Sequence, residues 1–245
     1  MDETIYKEAR DFLDPIYSNV PLLDDRPFIT LTFAQSLDGK IAKQGQQILI
    51  SGRESMAMTH RLRTLHDGIL VGIGTALVDN PQLNARYVLA ASTAIKQPQP
   101  IVLDPFMKLP SNCKLIDNYQ NDKGKQPWLV VSEKALVEQT DKKAVLDKAG
   151  VKFIPVKALE NGQLPLKEVF KALKANNIHT LMIEGGSRII QSCLKDEWNQ
   201  LIITTAPMFI GSEGVPAIKD NDAMPTLNNV QYQIMGRDNV LAATK

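Results

Sequence analysis

The stretch "TLMIEGGSRII", residues 180–190, opens as an apolar run, stops at Glu184, passes through two glycines and resumes apolar spacing of helical type. The segment 180–184 has the length of a buried strand. Ile189, Ile190, Cys193 and Leu194 form one helical stripe after it. A strand that runs through Gly185-Gly186 into a helix is a βα unit. Its junction offers the free N–H groups and positive dipole end of a helix to an anion. A tight turn needs glycine only for its dihedrals, and a Gly-Gly pair alone does not separate the two readings. The carboxylate of Glu184 fits a bare turn less well, because it stands where a buried strand meets a cleft.

The same alternation extends outward along the chain. Residues 28–34, 68–74, 100–104, 127–132, 151–156 and 200–210 are short apolar or β-branched runs bounded by turn residues and predict strands. Residues 54–65, 133–150 and 166–177 predict helices. The last of these places Leu166, Val169, Phe170 and Leu173 on one face. Ser132 is a suitable N-cap for the second, and Gly150 a suitable stop. Segments 230–236 and 239–245 predict a closing hairpin. The polar stretches 90–99 and 117–126 predict surface loops, and residues 1–26, punctuated by Pro15 and Pro21, an N-terminal arm with a short helix. The pattern implies an α/β fold: a central, mostly parallel sheet with flanking helices and an antiparallel C-terminal hairpin. It is read as one domain, 27–245, after the arm.

Composition narrows the function. The chain has 245 residues, 44% of them apolar, enough for a substantial core. Its 28 basic and 27 acidic residues are well mixed and leave a net charge of +1. With no basic stripe, a nucleic-acid partner is not expected. No run approaches the ~20 apolar residues of a membrane span, and the charged start "MDETIYKEARDFLD" lacks a signal core. A cytoplasmic protein is expected. Cys113 and Cys193 suggest no disulfide framework and cannot build a zinc site alone.

Several motifs hold candidate chemistry. In "GILVGIGTALVDNPQLNAR" (68–86), Gly72 and Gly74 follow a strand, but Leu77 stands where a dinucleotide fingerprint has its third glycine. An ordinary Rossmann reading is therefore rejected. Thr75 and Asp79 offer a hydroxyl and a carboxylate to a ligand, although Asp79-Asn80-Pro81 also reads as turn chemistry. In "AQSLDGKIA" (34–42), Asp38-Gly39 signals a turn, and Lys40 is either a solvated hairpin lysine or a site residue. "HRLR" (60–63) carries two helical arginines. No serine elbow, zinc-binding pair or phosphate loop is present.

Taken in order, "PFITLTFAQSLDGKIA", "HRLRTLHDGILVGIGTALVDNPQLNAR", "PIVLD", "LMIEGGSRII" and "APMFIGSEGVPAI" resemble the reductase of riboflavin biosynthesis, over roughly residues 27–243. That family is homologous to the C-terminal domain of the bacterial bifunctional deaminase-reductase. The resemblance implies a dihydrofolate-reductase-like fold, NADPH as hydride donor and a homodimer. It also implies reduction of the ribosyl side chain of a phosphorylated pyrimidinone to ribityl. The N-terminal arm and missing deaminase resemble the fungal branch, whose substrate is the 2,5-diamino compound. Carried over by motif, Thr75, Asp79, Gly185, Gly186, Ser187 and Arg188 bind the cofactor. Lys40, Ser51, Arg63, Leu83, Arg86 and Glu184 lie on the substrate side, with Lys40 and Glu184 as catalytic candidates. Arg63 and Arg86 suit a 5′-phosphate, because guanidinium forks match its oxygens. Glu184 suits the pyrimidine N–H groups. Leu49 and Ser51 stand where bacterial relatives often carry tryptophan and threonine. The rival readings are a non-catalytic nucleotide binder and a folate reductase, the latter disfavoured by "SLDGK" and "DNPQLNAR".

Overall fold

The structure is a computed structural model and describes residues 2–44, 48–89, 95–196, 198–218 and 226–245. Along the chain come α1 (Glu3–Tyr17), β1 (Phe28–Ser36), β2 (Lys40–Lys43), α2 (Arg53–Thr64), β3 (Gly68–Gly72), α3 (Ile73–Asp79) and β4 (Gln99–Leu103). There follow α4 (Lys114–Gln120), β5 (Trp128–Ser132), α5 (Glu133–Glu138), α6 (Thr140–Lys148), β6 (Lys152–Val156) and α7 (Leu166–Ala175). The chain closes with β7 (Thr180–Glu184), α8 (Ser187–Asp196), β8 (Gln200–Ala206), β9 (Gly214–Pro216), β10 (Asn228–Met235) and β11 (Asp238–Thr244).

Nine strands form one sheet in the order β10-β11-β8-β1-β7-β3-β4-β5-β6. Every pairing from β8 to β6 is parallel, and β11 and β10 are added antiparallel. This is the expected mostly parallel sheet with an antiparallel finish. The chain lays β3, β4, β5 and β6 outward, then returns to insert β7 between β1 and β3. Glu184 at the end of β7 pairs with Thr32 of β1, and Ile183 pairs with Leu70 of β3. The carboxyl ends of these three strands therefore share one edge, at the reversal of strand order where open α/β sheets bind ligands.

Alternation along the strands builds two cores. Ile69, Val71 and Met182 face one side, with Met58 and Leu62 of α2 and Ala9 and Leu13 of α1. Leu70, Leu181 and Ile183 face the other, with Phe170 and Leu173 of α7, Ile190 of α8 and Trp198. Both faces are covered, which is why these strands read as continuous apolar runs rather than alternating ones.

Four elements differ from expectation. The arm's helix is 15 residues long, with Pro15 only in its last turn, and its apolar stripe is buried in the core. The segment 133–150 is two helices, because Gln139 leaves helical geometry and its side chain bonds the Phe106 carbonyl at 2.9 Å. The run 68–74 ends as a strand at Gly72 and becomes the short helix α3, stopped by left-handed Asn80 and by Pro81. The loop expected at 117–126 begins inside α4. Of the loop expected at 90–99, residues 90–94 lie outside the described residues. The pairing of β2 with β9 was not legible, since it joins segments about 170 positions apart.

Candidate functional site

Two βα junctions meet at the edge where β7 and β3 end. Gly186 N–H donates to the Thr75 hydroxyl at 3.0 Å, locking the glycine pair after β7 onto the first turn of α3. Gly185 has φ +151°, and a Cβ there would meet Ile189 Cγ2 at 3.1 Å, so this position needs glycine for backbone and space alike. Gly72 and Gly74 differ. Their φ is not left-handed, and an added Cβ at either would meet nothing within 4 Å. The protein itself does not require glycine there; the missing side chains leave open room beside the junction. Ser187 is the buried first residue of α8, while Arg188 is exposed. The first turn of the ten-residue α8 has N–H groups without intrahelical acceptors, as every helix start has.

On the other side of the glycine pair stands Glu184, gripped by Arg63 of α2. Arg63 Nε donates to Oε1 at 3.0 Å and Nη2 to Oε2 at 2.8 Å, a two-pronged ion pair that is largely shielded from solvent. Arg63 Nη1 donates to the Asn84 carbonyl at 2.9 Å. The Asn84 side chain in turn accepts from Arg86 Nη1 at 2.6 Å. Arg63, Glu184, Asn84 and Arg86 are thus one cluster, assembled from α2, β7 and the loop after α3. Two arginines against one glutamate leave the cluster with an excess of positive charge, and burial together with the Arg63 charge pushes the Arg86 guanidinium below its ordinary pKa. Leu83 lies in the same loop with φ +48°, but the residue is only 1% exposed and its side chain sits in the core.

Among the described residues, no hydrogen bond joins the remaining candidates to this cluster. Half-buried Asp79 has its pKa raised by desolvation, and no described residue bonds its carboxylate. Lys40 follows a turn that is more than a hairpin tip. The Asp38 carboxylate accepts from the Ser36 hydroxyl at 2.5 Å and from the N–H groups of Ile210 and Gly211 at 3.1 and 2.8 Å. Those bonds, the Ser36 one foremost, hold its pKa down at about 2. Asp38 so ties the loop after β8 beneath Lys40, whose stem lies over Gly214 of β9. An added Cβ at Gly214 would fall 2.5 Å from Lys40 Cγ. Ser51 is partly exposed, just ahead of α2.

Sequence reasoning missed His60, Asn84, Asp38 as an anchor, and Gly214. One signal was available: His60 and Arg63 are three apart on a helix and so share a face. Arg61 of the same motif points elsewhere, its guanidinium gripping Asp14 of α1 at 3.1 and 2.6 Å. His60 accepts from the Arg86 N–H through Nδ1 at 3.0 Å, so the ring proton is on Nε2. That nitrogen is buried and finds no hydrogen-bond partner among the described residues. Such an orphan typically costs about 1–3 kcal/mol. Desolvation, with the charges of Arg63 and Arg86 behind it, lowers the His60 pKa to about 3, and a backbone contact with Asn84 acts weakly the other way.

A second concavity, a cleft of about 390 Å³, opens beyond the carboxyl ends of β5 and β6 and is lined by Phe106, Ser132, Lys134, Gln139, Lys157 and Gly162 among others. It lies two to three strand spacings from β3 and three to four from β7, roughly 10–19 Å along the same edge.

Known proteins are similar to this chain over most of its length. The family model of the RibD C-terminal domain matches residues 27–241. The 2,5-diamino-6-ribosylamino-4(3H)-pyrimidinone 5′-phosphate reductase of Debaryomyces hansenii is 38% identical over 229 residues, covering 89% of this chain and 90% of the relative. That of Candida glabrata is 38% identical over 222 residues, covering 84% and 86%. The solved structure of the Saccharomyces cerevisiae riboflavin biosynthesis reductase Rib7 superimposes with a TM-score of 0.77 at 30% identity, covering 97% of this chain and 99% of that one. The chain belongs to the RibD C-terminal domain family.

Proposed function

We propose that this protein reduces the ribosyl side chain of 2,5-diamino-6-ribosylamino-4(3H)-pyrimidinone 5′-phosphate to the ribityl form, with NADPH as donor. The observation that carries the reading is the β7 junction. There a carboxylate held by Arg63 and a glycine pair locked onto Thr75 are consecutive in the chain, so an N–H-rich substrate and a phosphate-bearing cofactor can meet.

The junction suits NADPH. Open space at Gly72 and Gly74 lets a ligand approach the backbone closely. The start of α8, with Gly185, Gly186, Ser187 and Arg188, would hold the pyrophosphate. Thr75 and Asp79 would meet polar groups of the nicotinamide half. The cleft at β5 and β6 lies within reach of an extended dinucleotide and would take the adenosine end; Lys134 and Lys157 share its wall with Glu133, Glu138 and Glu160, and Lys134 pairs with Glu138 at 3.6 Å. NADPH, when bound, supplies the hydride that reduces C1′ of the opened sugar.

The chain's own residues position the substrate. Arg86 grips the 5′-phosphate. Glu184, aligned by Arg63, accepts from the pyrimidine N–H groups. Lys40 binds the sugar. Two of Arg63's nitrogens are committed to Glu184 and the third also bonds the Asn84 carbonyl, so its main role is to orient Glu184. Holding the reacting carbon in line can itself supply ~7–11 kcal/mol of barrier lowering.

Following NADPH absorbance with the diamino and deaminated substrates in parallel, and with NADH beside NADPH, tests the reading. Oxidation with the diamino substrate is expected. Stoichiometric NADPH binding without turnover would mean a non-catalytic binder, and turnover of dihydrofolate at a comparable rate a different substrate class. Glu184→Gln should lower kcat/KM by about a hundredfold while NADPH still binds; an unchanged kcat/KM removes Glu184 from the substrate site.

The assembly we propose is a homodimer. Val230, Tyr232 and Ile234 alternate along edge strand β10, placing three exposed apolar side chains on one face. In register with Tyr232 come Leu241, Ile203 and Phe33, an apolar row across the sheet.

A further inference from the structure

The loop that carries Arg86 is held by side chains from several directions. Ala85 is clamped by the Gln97 amide, which accepts from its N–H at 2.8 Å and donates to its carbonyl at 2.9 Å. Leu83 anchors the loop in the core with left-handed backbone, unusual for leucine. The next link is His60. Its Nδ1 accepts the Arg86 N–H at 3.0 Å, and its ring meets Tyr87 edge-on, with centroids 4.8 Å apart and planes at 90°. The Arg86 guanidinium lies 5.8 Å above that same Tyr87 ring. His60 thus constrains Arg86 twice, by its backbone and by the ring beneath its guanidinium.

We infer that His60 is a positioning residue for phosphate recognition: through the Arg86 N–H and the Tyr87 ring it sets where the Arg86 guanidinium stands. The inference rests on reading Arg86 as the contact to the 5′-phosphate. Core packing alone does not account for the residue. An apolar side chain would fill the space without stranding the buried Nε2, whereas only an acceptor at the Nδ1 position can take the Arg86 N–H. The ring also stays neutral, as that acceptor role demands, because burial and the two arginines oppose its protonation.

Three variants of the full-length protein test this: His60→Leu, His60→Asn and Arg86→Ala. For each, KM and kcat are measured with the phosphorylated diamino substrate, together with inhibition by inorganic phosphate and NADPH binding by fluorescence. His60→Leu should raise KM and the inhibition constant for phosphate about tenfold, the effect of losing one oriented hydrogen bond to a charged group, with kcat and NADPH affinity within about twofold of the parent. His60→Asn places an amide oxygen near Nδ1 and should recover most of the loss. An unchanged KM in His60→Leu, or equal loss of kcat and NADPH affinity, overturns the inference. If His60→Leu does not fold, His60→Gln replaces it, since its longer arm moves the acceptor away. Equal KM in the Asn and Gln variants then overturns the inference. Arg86→Ala separates the two layers. A raised KM there with an unaffected His60→Leu rejects the positioning role alone. An unaffected Arg86→Ala rejects the phosphate reading, and the inference with it.

Discussion

Glycine at position 214 is explained by a side chain rather than by its own backbone. The stem of Lys40 crosses the space a Cβ would fill, and Ile210 closes the other side. Gly214→Ala should therefore push Lys40 away from its present position. We expect kcat to fall about tenfold with a Tm shift of only a few degrees, measured by steady-state kinetics and thermal unfolding. Full activity in this variant would show that Lys40 has no demanding placement. His66 makes the opposite kind of contribution. Its Nδ1–H donates to the Leu62 carbonyl at 2.8 Å, and Nε2 accepts from the Thr30 hydroxyl at 2.8 Å, which in turn accepts from Tyr17 at 2.9 Å. The ring is fully buried, and desolvation lowers its pKa from 6.5 to about 4. Below pH 6.5 the unfolded chain binds a proton that the folded ring resists. Stability falls as pH drops from about 6.5 and levels off below about 4, a loss on the order of 3 kcal/mol from this group. Urea unfolding from pH 7 to pH 4.5 should show that slope, to which buried His60 adds, and His66→Gln should reduce it without abolishing it. Neither effect was legible in the sequence. His66 lies 36 positions from Thr30, and Gly214 is far from Lys40, so only folding brings each pair together.

Helix α2 carries both His60 and Arg63, and its start is secured from the far end of the chain. Its N-cap is Gly52, which has no side chain to bond the first turn. Asp238, at the start of β11, takes that place. Its Oδ2 accepts from Gly52 N–H at 2.6 Å and from the Ser55 hydroxyl. The carboxylate also lies at the positive end of the helix dipole. Asp238→Ala leaves the part-buried Gly52 N–H without its acceptor and the buried Ser55 hydroxyl with only the Gly52 carbonyl at 3.4 Å, and should destabilise the fold by roughly 1–3 kcal/mol in urea unfolding. A loss below about 0.5 kcal/mol, the level of an ordinary surface substitution, would show that water replaces the carboxylate. Strands and helices of the α/β repeat were readable because apolar period and turn residues are local signals. Boundaries set by partners were not. Residues 133–150 have one continuous helical pattern, yet the chain breaks at Gln139, whose amide bonds the Phe106 carbonyl 33 positions earlier. The junction "EGGSRII" was legible as strand, turn and helix; its lock onto Thr75, 111 positions away, was not.

At the scale of the molecule, the sheet ends on an edge that is open on both faces. Seven of the eight residues of β10 are exposed, with Tyr232 at 66% and Ile234 at 63%. A lone edge strand with an apolar face is a pairing and aggregation hazard unless something covers it. A second copy placed on that face is the arrangement we propose, so Tyr232→Glu should shift the protein from dimer toward monomer in sedimentation velocity. A monomeric parent protein would reject the dimer, and a variant that remains dimeric would move the interface elsewhere. No described helix is long and apolar enough to cross a membrane.

The sequence by itself determined the α/β class, the mostly parallel sheet, the closing hairpin and the motifs that mark the site. Those features depend on local periodicity and on short runs whose residue types carry their own chemistry. Tertiary structure alone decided how the parts act together. It joined Arg63 to Glu184 across 121 positions, buried Leu83 in the core despite its left-handed backbone, and set His60 against the backbone of Arg86. The physical reason is that a hydrogen bond or an ion pair is specified by position in space. Residues that share one become neighbours only when the sheet order inserts β7 between β1 and β3.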